Sequence, residues 1–308
     1  MTSDSILITD VSPRDGLQNL APLSFEAKIH LIEGLIGAGV PRIEVGAVVS
    51  AKQLPAMIDS LQVAEYFCQR YPQPSSSRAS HSDSMPSSSA PLFSMLVANL
   101  RGCEQALAAG IRHIAIFTAA SDSFTQRNIH CSISESLQRL YPIIELAHKQ
   151  GATVRGYVSC IVDCPYEGAI SPLKSAAVAA ELFAMGCDEI SLGDTLGKAA
   201  PTQIERVLCE VLNNVPATAL VGHYHNTYGL ALANVVASFA LGIRHFDCSA
   251  AGLGGCPFAP GASGNLATEE LLWLSARQEW GTGIQLNTLI ESNREWCLNY
   301  GITPDSRL

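Results

Sequence analysis

Positive charge is scarce in this chain. Nineteen Lys and Arg residues stand against 28 Asp and Glu, and the formal net charge over 308 residues is -9. Displacing phosphate counterions needs a basic footprint, so this balance excludes a nucleic-acid-binding role. No stretch is long and apolar enough to span a bilayer. The first residues, Met1-Thr2-Ser3-Asp4-Ser5, are polar and mildly acidic, unlike a signal or transit peptide. The ten cysteines lack C-x-x-C spacing and are scattered through a large chain, a usage that points to a reducing compartment and not to a disulfide scaffold. Cys160 and Cys164 read as core thiols beside a loop. Charged residues make up only 15% against 47% hydrophobic, ample for a sizeable core. These absences together lead to the expectation of a soluble cytoplasmic protein with no membrane association.

What is present is a rhythm. Strand-like runs fall at 6–9, 42–46, 92–98, 113–118, 153–159, 189–193, 220–225 and 245–249. Amphipathic or small-residue-rich segments such as 25–36, 133–149, 175–185 and 203–212 lie between them. About eight βα units in a chain of this size predict a single (β/α)8 TIM barrel over residues 1–308. A doubly wound open sheet would carry a G-x-G-x-x-G after its first strand, where this chain has Arg14-Asp15-Gly16. Residues 284–300 predict an extra helix closing the bottom or side of the barrel. One stretch breaks the pattern: nine of the fifteen residues from 75 to 89 are serine, with Pro74, Pro86 and Pro91 close by. Such a composition buries too little apolar surface to offset ordering, so residues 72–91 are expected to form a flexible surface insertion and not a domain boundary.

Three segments carry the chemistry. His223-Tyr224-His225 ends a short apolar run, and strand alternation projects both imidazoles to one side. Such a pair is either a hydrogen-bonded core feature or a chelate for a divalent cation. Arg14-Asp15, just past the first strand, adds a hard carboxylate ligand and a rigid fork of donors for an anionic oxygen. The glycine-rich run from 252 to 265 holds Cys256 and Asn265. In a barrel the strand ends open onto one face, so Asp15, Glu44, Asp194, His223, His225 and Asn265 are expected to converge there.

These motifs resemble one family closely. Pro13-Arg14-Asp15-Gly16-Leu17-Gln18-Asn19, Gly156-Tyr157-Val158-Ser159-Cys160, Ser191-Leu192-Gly193-Asp194-Thr195-Leu196-Gly197, His223-Tyr224-His225-Asn226-Thr227-Tyr228-Gly229 and the run from Ala251 to Asn265 resemble, in order and spacing, the 3-hydroxy-3-methylglutaryl-CoA lyases of the metal-dependent lyase and aldolase-type TIM-barrel superfamily. The resemblance runs over nearly the whole chain outside the serine-rich stretch. It implies cleavage of 3-hydroxy-3-methylglutaryl-CoA to acetyl-CoA and acetoacetate, a step of leucine catabolism and ketone-body formation. It further implies Asp15, His223, His225 and Asn265 as ligands of Mg²⁺ or Mn²⁺, Arg14 as the catalytic arginine, and Glu44 as an acid supporting the metal site. Asp194 matches the acid of a family motif, and Cys256 matches a loop cysteine able to donate a proton or exclude water. Asp194 and His223 both remain candidates for the base. On this reading Cys256 should be alkylated faster than buried thiols, for which Cys187 and Cys209 are the references. The only partner implied is a small acyl-CoA, with homodimerisation left open. Three departures bear on the substrate: Ala47 stands where a hydroxyl residue is usual, Leu20-Ala21 replace an acidic and a basic residue, and Asn226 replaces an aspartate. A less polar mouth points to a longer branched acyl chain as the alternative substrate. The alternative of another class is a lyase-derived binding protein that no longer turns over.

Overall fold

In the computed structural model, which describes residues 5–75, 90–255 and 264–308, strands and helices alternate from Leu7 to Tyr300. Eight strands form a closed, all-parallel barrel: β1 (Leu7–Asp10), β2 (Arg42–Val48), β3 (Leu92–Val97), β4 (His113–Ala119), β5 (Thr153–Ser159), β6 (Glu189–Asp194), β7 (Leu220–Tyr224) and β8 (His245–Cys248). Each strand pairs with its sequence neighbours, and β1 closes on β8. All eight lie within two residues of the expected runs. Most of the 72–91 stretch lies outside the described residues.

The surrounding helices are α1 (Phe25–Gly37), α2 (Ser60–Arg70), α3 (Leu100–Ala108), α4 (Asp122–Ile129), α5 (Ile133–Lys149), α6 (Pro172–Ala184), α7 (Pro201–Val211), α8 (Ala231–Ala240), α9 (Thr268–Arg277) and α10 (Leu286–Tyr300). Local chemistry sets their starts. Ser24 caps α1 by accepting from the Ala27 N–H, and Ser132 with Glu135 forms a capping box on α5. Helices α6 and α7 begin two or three residues earlier than the amphipathic pattern alone indicates, because Pro172 and Pro201 fit the first helical position, where no N–H is required. The extra helix α10 lies along the side: buried Trp296 donates its indole N–H to Ala27 O of α1 at 2.7 Å.

Two features of the barrel interior position the site. Below the mouth the interior is charged where branched apolar residues are common. Arg155 pairs with both Glu189 and Asp247 (2.7 Å each), and Arg42 also reaches Glu189. On β2 a bulge places three steps, Glu44 to Ala47, opposite two on β3, Ser94 to Leu96. Gly46 then faces outward, where a Cβ would stand 2.4 Å from Ser60 Oγ of α2, and Ala47 takes the same inward face as Glu44. No helix among the described residues is long and apolar enough to cross a membrane.

Candidate active site

The first βα turn is wound tightly. Val11 O accepts the N–H groups of Arg14, Asp15 and Gly16 (3.1, 2.8 and 3.2 Å), so residues 12–16 stay packed on the end of β1. Asp10 anchors the turn, its carboxylate accepting from the Ser12 N–H (2.9 Å) and the Thr268 hydroxyl of α9 (2.7 Å). Arg14 and Asp15 are thereby buried in the mouth. The Arg14 guanidinium bridges two carboxylates, donating from Nε to Glu44 Oε1 and from Nη1 to Asp15 Oδ1. Glu44, fully buried on β2, also accepts from the Tyr157 hydroxyl of β5 (2.8 Å), and the Tyr157 ring lies 5.3 Å from the guanidinium. Gln18 Nε2 donates to Asp15 Oδ1 at 2.8 Å.

The imidazoles meet this cluster from the end of β7, which β8 alone separates from β1. The His223 and His225 ring centroids are 5.5 Å apart, and His225 Nε2 lies 3.8 Å from Asp15 Oδ2. Asp15, His223 and His225 each offer a ligand atom, and these atoms lie within 4.8 Å of one another. His225 Nδ1 is buried without a hydrogen-bond partner. A self-contained polar core would pair that nitrogen, so the cluster fits a cation better than a closed hydrogen-bond network. Burial by itself would raise the Asp15 carboxyl, but Arg14 and both histidines hold it down to about 2. Burial lowers the His225 imidazole to about 4, with Asp15 only partly offsetting it. Carboxylate and neutral imidazole are the ligating forms, and both are present at neutral pH.

Asn265 joins from the segment before α9. Its backbone forms an antiparallel bridge with His225, and its amide Nδ2 donates to Asp15 Oδ2 (2.7 Å) and Leu253 O (3.3 Å). Ligation would use the carbonyl end of the same amide, which a half-turn of the terminal torsion presents.

The structure thus brings together Arg14, Asp15, Glu44, His223, His225 and Asn265. Asp194 is placed elsewhere. Ser191 points inward to bond Asp247, so alternation along β6 turns Asp194 outward. Its carboxylate accepts the N–H groups of Lys198 (3.3 Å) and Ala199 (3.0 Å) in the following turn. Burial, with a smaller contribution from Asp163, raises this carboxyl to about 6. The folded group therefore binds its proton more tightly than an unfolded aspartate, and it withdraws stability as pH rises from about 4 through 6. Asp194→Asn, which does not titrate, should flatten the unfolding free energy across that window while leaving Mn²⁺ affinity at the wild-type value. Weakened Mn²⁺ binding would return Asp194 to the site. Cys256 lies outside the described residues. Of its two reference thiols, Cys187 is buried, but Cys209 is exposed on α7 and cannot serve as a slow standard.

Motif reading passed over one group. Asp247 on β8 sits in register with His223 and accepts from its Nδ1 at 3.2 Å, while also bonding Ser191 Oγ (2.8 Å) and Arg155 Nη1 (2.7 Å). It fixes which His223 nitrogen carries the proton and leaves the other for the cluster. The one signal was its spacing of two from His245, which places both on the inward face.

A parallel eight-stranded barrel with a buried Asp-His-His cluster and a carboxylate-clamped arginine at its C-terminal mouth defines a TIM-barrel enzyme with a candidate cation centre. The chain belongs to the HMGL-like family, whose pattern it matches over residues 5–295, and it is an enzyme of the hydroxymethylglutaryl-CoA lyase type. It is 43% identical over 303 residues to the 3-hydroxy-3-isohexenylglutaryl-CoA/hydroxymethylglutaryl-CoA lyase of Pseudomonas aeruginosa, covering 98% of this chain and 95% of that one. It is 45% identical to the mitochondrial hydroxymethylglutaryl-CoA lyase of Bos taurus, covering 95% of this chain and 85% of the relative. Among solved structures, the HMG-CoA lyase of Acinetobacter baumannii in complex with coenzyme A and 3-methylmalate superimposes with a TM-score of 0.87 at 33% identity, covering 100% of this chain and 95% of that one.

Proposed function

We propose that this protein cleaves 3-hydroxy-3-methylglutaryl-CoA between C2 and C3 to acetyl-CoA and acetoacetate, with Asp15, His223, His225 and Asn265 holding a Mg²⁺ or Mn²⁺ ion. The observation that carries the reading is the buried Asp15-His223-His225 cluster lying directly against a guanidinium clamped by Glu44 and Asp15. When bound, the cation lowers the pKa of the substrate's tertiary hydroxyl and orients the substrate. Arg14 uses two of its N–H groups on carboxylates, and its remaining donors are free to hold the thioester oxygen as negative charge develops there. Glu44 and the Tyr157 hydroxyl keep that guanidinium from swinging away. Asp247 holds His223 in one tautomer. Cys256 enters as proton donor to the departing carbon on the strength of the resemblance alone.

A second substrate has a specific observation behind it. Ala47 occupies the inward face beside Glu44 with a methyl group, and one relative's name includes a 3-hydroxy-3-isohexenylglutaryl thioester. A coupled assay offering both thioesters separates the two. Treatment with a chelator should abolish cleavage, and added Mn²⁺ or Mg²⁺ should restore it. Full turnover by metal-free protein would overturn the cation assignment, and no cleavage of either thioester would overturn the lyase reading.

A further inference from the structure

After α10 the chain runs back to the mouth and lies against both ends of the segment joining β8 to α9. At the near end Ala251 sits in the left-handed region at φ 56°, costly for a residue with a Cβ and in need of outside support. Both of its backbone groups are engaged. Its N–H donates to the two Glu269 oxygens (2.9 and 3.1 Å), and its carbonyl accepts from the Asp305 and Ser306 N–H groups (2.8 and 3.1 Å). At the far end the Gly264 N–H donates to Asp305 Oδ2 at 3.3 Å, one residue before Asn265. The Arg307 N–H donates to Glu270 Oε1 of α9 at 3.1 Å. The two ends also touch each other. A Cβ on Gly264 would stand 2.1 Å from Gly252 O, and one on Gly252 would stand 3.2 Å from both Asp305 Cβ and Ser306 N. Glycine at both positions lets three lengths of backbone stack where no side chain fits.

We propose that residues 305–307 act as a staple across these two ends, and that Asp305 is a positioning residue that sets Asn265 for cation binding. This rests on the reading of Asp15, His223, His225 and Asn265 as the cation site. Gly264 is held on one side by the histidine-bearing segment, where its carbonyl accepts the Asn226 N–H at 3.1 Å, and on the other by Asp305. Removing the Asp305 carboxylate leaves the segment held on its histidine-bearing side, by the Asn226 bond and the Asn265 bridge to His225, but unheld on the other, so Gly264 can shift and carry the Asn265 amide out of line with Asp15.

The test is a titration of the full-length chain with Mn²⁺ alone, followed by electron paramagnetic resonance. His225→Ala should abolish tight binding; wild-type affinity in that variant would overturn the cation site itself, and the staple with it. With the site established, Asp305→Ala should raise the Mn²⁺ Kd by roughly ten- to a hundredfold, the range for losing an outer partner of a ligand. Asp305→Asn keeps an oxygen for the Gly264 N–H and should stay within about threefold of wild type. In an Asn265→Ala background, Asp305→Ala should add less than about twofold, because its effect passes through Asn265. An unchanged Kd in Asp305→Ala, or the same increase with and without Asn265, would overturn the proposal.

Discussion

Arg14→Lys should lower kcat roughly a hundred- to a thousandfold, a loss of about 2.7 to 4 kcal/mol of transition-state stabilisation, with the cation still bound. The reason is geometric. Arg14 spans two carboxylates on different elements, Glu44 on β2 and Asp15 on the first turn, from two edges of one rigid plane. A lysine ammonium is a point charge and can satisfy one carboxylate while leaving the other, or the developing oxyanion, without a directed donor. Glu44 is fully buried, so the lysine is drawn to that carboxylate and away from the substrate. Mn²⁺ affinity and kcat measured on the same preparation separate the two roles. A near-normal kcat would mean that Arg14 serves only to balance charge beside Asp15.

The second large effect is expected at Asp247. Its carboxylate receives the Arg155 guanidinium, the Ser191 hydroxyl and the His223 ring at once. Burial opposes ionisation there, yet Arg155 above all, with His223, holds the carboxyl well below the usual range. Asp247→Asn leaves Arg155 with a reduced share of its countercharge, and breaking a buried pair of this kind costs about 3 to 5 kcal/mol. The denaturation midpoint should fall accordingly. The depressed group contributes stability above the unfolded carboxyl value, near pH 4, and loses it only as pH falls through the folded value. The gap between wild type and variant should therefore narrow in acid. The variant amide can also donate, which permits the other His223 tautomer, so Mn²⁺ affinity should drop about ten- to a hundredfold as well. Wild-type stability with wild-type Mn²⁺ affinity would remove Asp247 from both roles.

The sequence by itself determined the barrel and most of the mouth. Alternating apolar runs place strands at the right positions, because a buried parallel strand needs only a short apolar stretch between turn residues. The pair His223 and His225 declares its own geometry, since two residues one apart on a strand end must share a face. Arg14 and Asp15 follow the first strand so closely that no fold of this class could carry them away from the mouth. Tertiary structure alone decided which strand acids face the barrel interior. Asp194 and Asp247 both lie on strands, but the phase of each strand relative to the interior depends on its neighbours, and packing turned Asp194 toward the turn that follows it and Asp247 toward His223. The β2 bulge likewise shifts the inward face from Gly46 to Ala47, a one-residue slip that hydropathy cannot register among small residues. The hold of Asp305 on Gly264 joins positions 41 residues apart, and no local pattern encodes a contact made only once the chain has closed around its own core.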